Sequence, residues 1–307
     1  MIDRAYLEIT NICNLSCVFC PKNARPKRKM TLDEYNLLTD RLRGQIKFLY
    51  FHLMGEPMLH EHLSTFIKIA REKGFIPVLT TNGTLLAKGL TTFPHKIQIS
   101  LHSQEANPIK DCHSEQSESA AGCHPEQSEG PHDSKIESPM EKYIHEVMTF
   151  AQKAATAGTI VVLRLWNQGG FDSKNEEVLN LISQHIAKEL WVQRYDGWKL
   201  TEKIYIEYDQ MFEWPEEERK AYDVDEVFCY ALRNQVGILV DGTVVPCCLD
   251  HEGSIHLGNL YESSLEEILA SPRAKAMYEG FSHHQAKEPL CQRCEYAAVT
   301  KRFRRPK

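Results

Sequence analysis

The chain has 307 residues, 42% of them hydrophobic and 25% charged, the profile of a globular protein rather than a disordered polymer. Its 36 basic and 42 acidic residues leave a net charge of −6, so the overall balance gives no electrostatic case for nucleic acid or anionic membrane as a partner. No apolar run reaches the roughly 18 residues of a membrane span, and Met1-Ile2-Asp3-Arg4 lacks a signal-peptide core. A cytoplasmic chain is therefore expected. In that compartment thiols stay reduced, so ten cysteines point to metal or redox chemistry rather than a disulfide framework.

Short β-type runs alternate with helical patterns, the signature of βα units and a parallel sheet. The first strand is expected over Ala5 to Thr10 and leads directly into Cys13, Cys17 and Cys20. A helix follows from Thr31 to Arg43, opened by Thr31 and Glu34 at capping-box spacing. Next come a strand Phe48 to Leu53, a helix Leu63 to Lys73, and strands Phe75 to Thr80 and Lys96 to His102. A helix from Met140 to Ala157, a strand from Thr159 to Trp166 and a helix from Asn175 to Glu189 complete the series.

Parallel strands covered on both faces should be apolar throughout. These alternate instead: Ile97, Ile99 and Leu101 share one face of the fourth strand, and Gln98, Ser100 and His102 share the other. Leu7 and Ile9 likewise oppose Glu8 and Thr10, and Leu163 and Leu165 oppose Arg164 and Trp166. A curved sheet with helices outside and a polar lumen inside satisfies all three patterns. Glu8 and His102 then face the lumen, either as a candidate base or, more plainly, as satisfied polar wall residues.

Residues 103–138 are rich in Ser, Glu, His, Pro and Gly and read as a low-complexity insertion. They repeat a Cys-His pair, Cys112-His113 and Cys123-His124, without the surroundings that would preorganise a zinc site. After about residue 190 the βα rhythm fades. Val236 to Val245 reads as a hairpin turning at Asp241-Gly242, and Ser264 with Glu267 caps a further helix. The expected division is residues 1–190 for the barrel and 191–307 for a smaller module, ending in a solvated basic tail from Lys301 to Lys307.

Three cysteines in a compact loop can hold an iron-sulfur cluster with one iron left open. Cys229, Cys247, Cys248, Cys291 and Cys294 form a second group in the smaller module. By spacing alone, four of them suit a cluster or a structural zinc equally well.

The segment Cys13-Asn14-Leu15-Ser16-Cys17-Val18-Phe19-Cys20 resembles the cluster loop of the radical S-adenosylmethionine (radical SAM) superfamily, with Phe19 as its typical aromatic. Gly55-Glu56-Pro57 is similar to the superfamily's GGE-type motif, whose backbone receives the amino group of S-adenosylmethionine, with Met54 in place of the first glycine. Asn82, in Thr80-Thr81-Asn82-Gly83, follows the third strand as in many members. Ser100 and Arg164 stand where ribose and carboxylate contacts are common. The resemblance implies a partial (βα)6 barrel over roughly residues 5–190.

In the smaller module, Cys229, Gly242 placed five residues before Cys247, the stretch Leu257-Gly258-Asn259-Leu260 with its following helix, and Cys291-x2-Cys294 resemble SPASM and twitch modules. This implies an α+β hairpin-helix module with one auxiliary 4Fe-4S cluster on Cys229, Cys247, Cys291 and Cys294, with Cys248 either spare or exchanging with Cys247.

By the same resemblance the chain is expected to cleave S-adenosylmethionine reductively to a 5′-deoxyadenosyl radical and to abstract a substrate hydrogen. It is expected to oxidise that substrate through the auxiliary cluster, with a flavodoxin or ferredoxin as reductant. A small polyol-like molecule and a peptide side chain both suit. The 12 residues before Cys13 leave no room for a leader-peptide domain, which weighs against a peptide unless a separate protein presents it. An electron-transfer or cluster-carrier protein is the alternative, against which Gly55, Glu56 and Arg164 argue.

Overall fold

The computed structural model describes residues 2–21, 23–101, 138–167, 175–222 and 226–299. The Cys-His repeat, His102 and the basic tail lie outside the described residues.

The alternating strands assemble as expected. Strands β1 (Arg4–Leu7), β2 (Phe48–Phe51), β3 (Ile76–Thr81), β4 (Lys96–Ser100) and β5 (Ile160–Asn167) pair in parallel in that order. Helices α1 (Leu32–Leu42), α2 (Leu63–Glu72) and α3 (Pro139–Thr156) connect them. The Thr31 hydroxyl accepts from the Glu34 amide at 3.2 Å, and the Glu34 carboxylate accepts from the Thr31 amide at 2.8 Å, so α1 opens on the capping box. Helix α4 (Glu176–Ser183) is shorter than its sequence pattern suggests and is followed by a hairpin, β6 (Val192–Arg194) and β7 (Gly197–Lys199).

The sheet does not stop at residue 190. Strand β8 (Ile204–Gln210) pairs in parallel with β5 and supplies the sixth parallel strand in chain order of the barrel. It carries the same alternation as its neighbours: Ile204 and Ile206 are buried, while Glu207 and Asp209 line a cavity. At the other side of the sheet β9 (Gln235–Ile238) joins β1 in parallel, Ala5 facing Val236, and β10 (Thr243–Val245) and β11 (Gly258–Asn259) continue antiparallel. The hairpin of the smaller module thus extends the barrel's own sheet. The 11 strands end at β11 and β6 without closing, a partial (βα)6 barrel with a hairpin-helix extension completed by α5 (Leu265–Leu269) and α6 (Pro272–Ser282).

The apolar faces of the strands meet the helices. Leu7, Leu49, Phe51, Leu79, Ile97, Ile99, Leu163 and Leu165 are fully buried in one core with Leu38 and Leu42 of α1, Phe66 and Ile67 of α2 and Val147 and Ala151 of α3. The polar faces line the opposite side, and there the chain leaves a cavity of about 1090 Å³.

Candidate active site

Cys13, Cys17 and Cys20 lie in the loop beyond β1 and line this cavity. The Leu15 amide donates to Cys13 Sγ at 3.4 Å and Asn82 Nδ2 approaches the same sulfur at 3.8 Å. The Cys20 amide donates to the Cys17 carbonyl at 3.1 Å, drawing the last turn tight. Burial first, then Cys17 and Cys13, push Cys20 up to about 12, while burial, then Glu56 and Cys17, raise Cys13.

Gly55 is fixed by a close approach. Its φ is +80°, and a Cβ there would lie 2.4 Å from the Thr10 carbonyl oxygen and 2.9 Å from that of Ile12. The Glu56 amide donates to that Ile12 carbonyl at 2.8 Å, so the end of β2 grips the root of the cysteine loop. The buried Glu56 carboxylate is fully engaged, accepting from the Met58 amide and the Thr81 hydroxyl at 2.8 Å and from the Asn82 amide at 2.7 Å. It braces the end of β2 to the end of β3. Asn82 in turn reaches Asn14 Oδ1 at 3.0 Å, and Tyr143 of α3 donates to the Asn82 carbonyl at 2.9 Å.

Gly55, Glu56, Asn82, Ser100 and Arg164 all line the cavity; Pro57 is buried in the turn behind it, where it starts Pro57–Leu59. Ser100 and Arg164 face each other across β4 and β5, and the Arg164 guanidinium pairs with Asp209 of β8 at 2.9 Å.

The second cysteine group lines the same cavity, with Cys229, Cys247, Cys248, Cys291 and Cys294 all in its wall. Cys229 is pushed up to about 12 and Cys294 to about 11, in both cases mainly by burial. Cys247 is raised by burial and also by Cys248, Cys229, Cys291 and Cys294, and it packs against the same core as Cys229, Cys291 and Cys294. Cys248 packs with Tyr6 against Leu53, Met54, Leu239 and Val245. Gly237 on β9 makes room for this loop, since a Cβ there would meet the Cys247 carbonyl at 2.9 Å.

Several lining residues escaped the sequence reading. Glu8 does not reach the lumen as a base, because its buried carboxylate is paired with Arg25 at 2.6 Å. His52 does face the cavity. Its ring stands edge-on to Tyr6 at 5.0 Å, its Nδ1 is buried without a partner, and burial together with Arg164 lowers its pKa to about 3. The alternation of Tyr50 and His52 against Phe51 on β2 was the available signal. A run of aromatic rings also joins the two cysteine groups: Phe19 meets Trp166 at 5.2 Å, Trp166 meets Phe212 at 5.0 Å, and Phe212 meets Tyr296 at 5.2 Å.

Within each group the thiols are near enough to raise one another's pKa, and thiolates are the ligands of iron-sulfur clusters. Thiols pushed upward in this way release their protons when metal binds.

Residues 7–104 match the model of the radical SAM superfamily, and residues 229–295 match the SPASM model, an iron-sulfur cluster-binding domain. Among curated proteins, the tungsten-containing aldehyde ferredoxin oxidoreductase cofactor-modifying protein of Pyrococcus furiosus is 35% identical over 86 residues, 26% of this chain. The chain spans about a quarter (24%) of that relative's length. BtrN in complex with AdoMet and 2-DOIA shares the fold at a TM-score of 0.51 and 16% identity, over 96% of this chain and 93% of that one. Streptococcus suis SuiB bound to S-adenosylmethionine does so at 0.57 and 13%, over 98% and 74%. No helix among the described residues is long and apolar enough to cross a membrane. The two domains imply 4Fe-4S clusters and S-adenosylmethionine as cofactors, and the chain thus carries a radical SAM domain over residues 7–104 and a SPASM-type iron-sulfur domain over residues 229–295.

Proposed function

We propose that this chain is a radical SAM oxidoreductase that removes a hydrogen atom from a small polyol-like substrate or a peptide side chain and completes a net oxidation. The observation that carries the reading is a single cavity lined both by Cys13, Cys17 and Cys20 and by Cys229, Cys247, Cys248, Cys291 and Cys294. Cys13, Cys17 and Cys20 would hold a 4Fe-4S cluster able to supply the electron for cleaving S-adenosylmethionine, and the second group would hold one able to take up an electron from the substrate.

The protein's own part is positioning. Cys13, Cys17 and Cys20 offer three thiolates and no fourth, which suits a cluster with one open iron. Cys229, Cys247, Cys291 and Cys294 are the assigned ligands of the second cluster. Cys247 is favoured over Cys248 because it packs against the same core as the other three, whereas Cys248 packs with Tyr6 against a separate cluster. The backbone at Gly55-Glu56-Pro57, with Asn82, Ser100 and Arg164, holds S-adenosylmethionine over the lumen. Glu56 contributes by keeping β2 and β3 in place, since its carboxylate oxygens are already taken.

His52 adds a neutral imidazole to the cavity wall, because burial and Arg164 lower its pKa to about 3. The aromatic run from Phe19 to Tyr296 supplies an apolar wall against which the substrate's carbon skeleton packs and water is excluded. Both substrate classes have a counterpart among the similar structures, 2-DOIA with BtrN and the precursor peptide SuiA with SuiB. A flavodoxin or ferredoxin is the proposed reductant.

The test is deuterium transfer. The anaerobically reconstituted chain is supplied with S-adenosylmethionine, dithionite and a panel of deuterated cyclitols, aminocyclitols and peptides. Deuterium in the recovered 5′-deoxyadenosine identifies the substrate class. Intact clusters that never give 5′-deoxyadenosine would favour an electron carrier instead.

A further inference from the structure

Beyond its three cysteines, the first loop is sewn shut at its root. Asn11 Nδ2 donates to the Pro26 carbonyl at 2.8 Å, the Arg28 amide donates to Asn11 Oδ1 at 2.8 Å, and the Thr10 hydroxyl donates to the Arg28 carbonyl at 3.1 Å. Residues 12–24 are therefore an excursion between two stitched limbs. Arg25 stands on the returning limb, five residues after Cys20.

The Arg25 guanidinium makes a closed set of bonds across three parts of the chain. Nη2 and Nη1 grip the Glu8 carboxylate at 2.6 and 2.9 Å, and Nε donates to the His251 carbonyl at 2.8 Å. Glu8 Oε2 also accepts from the Val240 amide at 2.9 Å. The adjoining Ala24 amide donates to Glu252 at 2.8 Å. Glu8 is fully buried and Arg25 is 11% exposed, so water has little access to their ion pair, whereas the Ala24–Glu252 bond is exposed. The partners fall on the strand leading into the first cysteine loop and on the hairpin and loop that carry Cys247. His251 lies only four residues beyond Cys247.

A buried ion pair is weak as a source of net stability, because desolvation cancels much of its attraction; its best-attested use is to fix one arrangement over others. The planar fork of Arg matches this network, with two parallel bonds to a carboxylate and a third donor set at a fixed angle to a carbonyl. Lysine has the charge without the fork.

We propose that Arg25 is a positioning residue, a latch that sets the root of the Cys13–Cys20 loop against the Cys247 loop so that loosening one loosens the other. This goes beyond the proposed reaction, because it assigns no cysteine and no substrate.

The test compares hydrogen exchange in the anaerobically reconstituted full chain for wild type, Arg25→Met, Arg25→Lys and Glu8→Gln. Arg25→Met is expected to raise exchange roughly tenfold or more in residues 12–24 and 246–256 together, while β3 and β4 keep wild-type protection. Arg25→Lys should loosen both segments to a smaller extent. The change that S-adenosylmethionine induces in the first cluster's electron paramagnetic resonance spectrum should shrink in step with the loosening. Unchanged exchange in both segments, loosening of one alone, or a uniform rise across the sheet would overturn the latch. Should Arg25→Met not fold, Arg25→Lys and Glu8→Gln decide by the same pattern. Iron content in the wild type, measured separately, judges the proposed function; the exchange pattern judges the latch.

Discussion

Gly55 and His52 show how much of the site rests on single residues. Gly55 combines a left-handed backbone with a Cβ position only 2.4 Å from the Thr10 oxygen. Gly55→Ala should destabilise the chain by about 2–3 kcal/mol in urea unfolding and displace the cysteine loop that the neighbouring Glu56 amide holds. His52 carries a pH dependence. Folding depresses its pKa from the ordinary 6.5 to about 3, so between those values the unfolded chain binds the extra proton and stability falls as pH falls. His52→Phe removes this contribution. The stability lost between pH 7 and pH 4.5 in the metal-free chain should shrink by about 2 kcal/mol, read from urea unfolding at the two pH values.

At the scale of elements, the capping boxes at Thr31 and Ser264 were legible because a local pattern of two residues fully determines them. The alternation in β4 and β5 was legible for a similar reason, since one face of each strand meets helices and the other meets the cavity. Strand β8 carried the same signal but follows the β6–β7 hairpin, which interrupts the βα rhythm and makes the barrel look finished. The tie between α3 and the end of β3 could not be read at all, because it joins residues 61 apart through one hydroxyl. Tyr143→Phe should cost about 1–2 kcal/mol of stability by leaving the Asn82 carbonyl unpaired. Iron content should be unchanged and the affinity for S-adenosylmethionine lowered, as Asn82 loses its anchor.

Across the whole molecule, the cysteine chemistry was legible and the polar wiring was not. Cys13, Cys17 and Cys20 announce themselves by spacing within eight residues, whereas the Glu8 to Arg25 pair and the Arg164 to Asp209 pair depend on where strands land in the sheet. Glu8 looked like a candidate base for that reason: alternation gives the face of a residue but not the partner waiting there. The hairpin over Val236 to Val245 was legible but its pairing with β1 was not, though that pairing brings the second cysteine group to the same cavity.

That shared cavity is the centre of the account. Its most direct test is to measure iron and 5′-deoxyadenosine on one sample of the anaerobically reconstituted chain, given dithionite and S-adenosylmethionine, beside a variant with Cys13, Cys17 and Cys20 changed to Ala. The account predicts about eight irons per chain with 5′-deoxyadenosine formed, and about four irons with none formed in the variant. About four irons and one zinc in the unaltered chain, or 5′-deoxyadenosine formation that survives loss of the three cysteines, would contradict it.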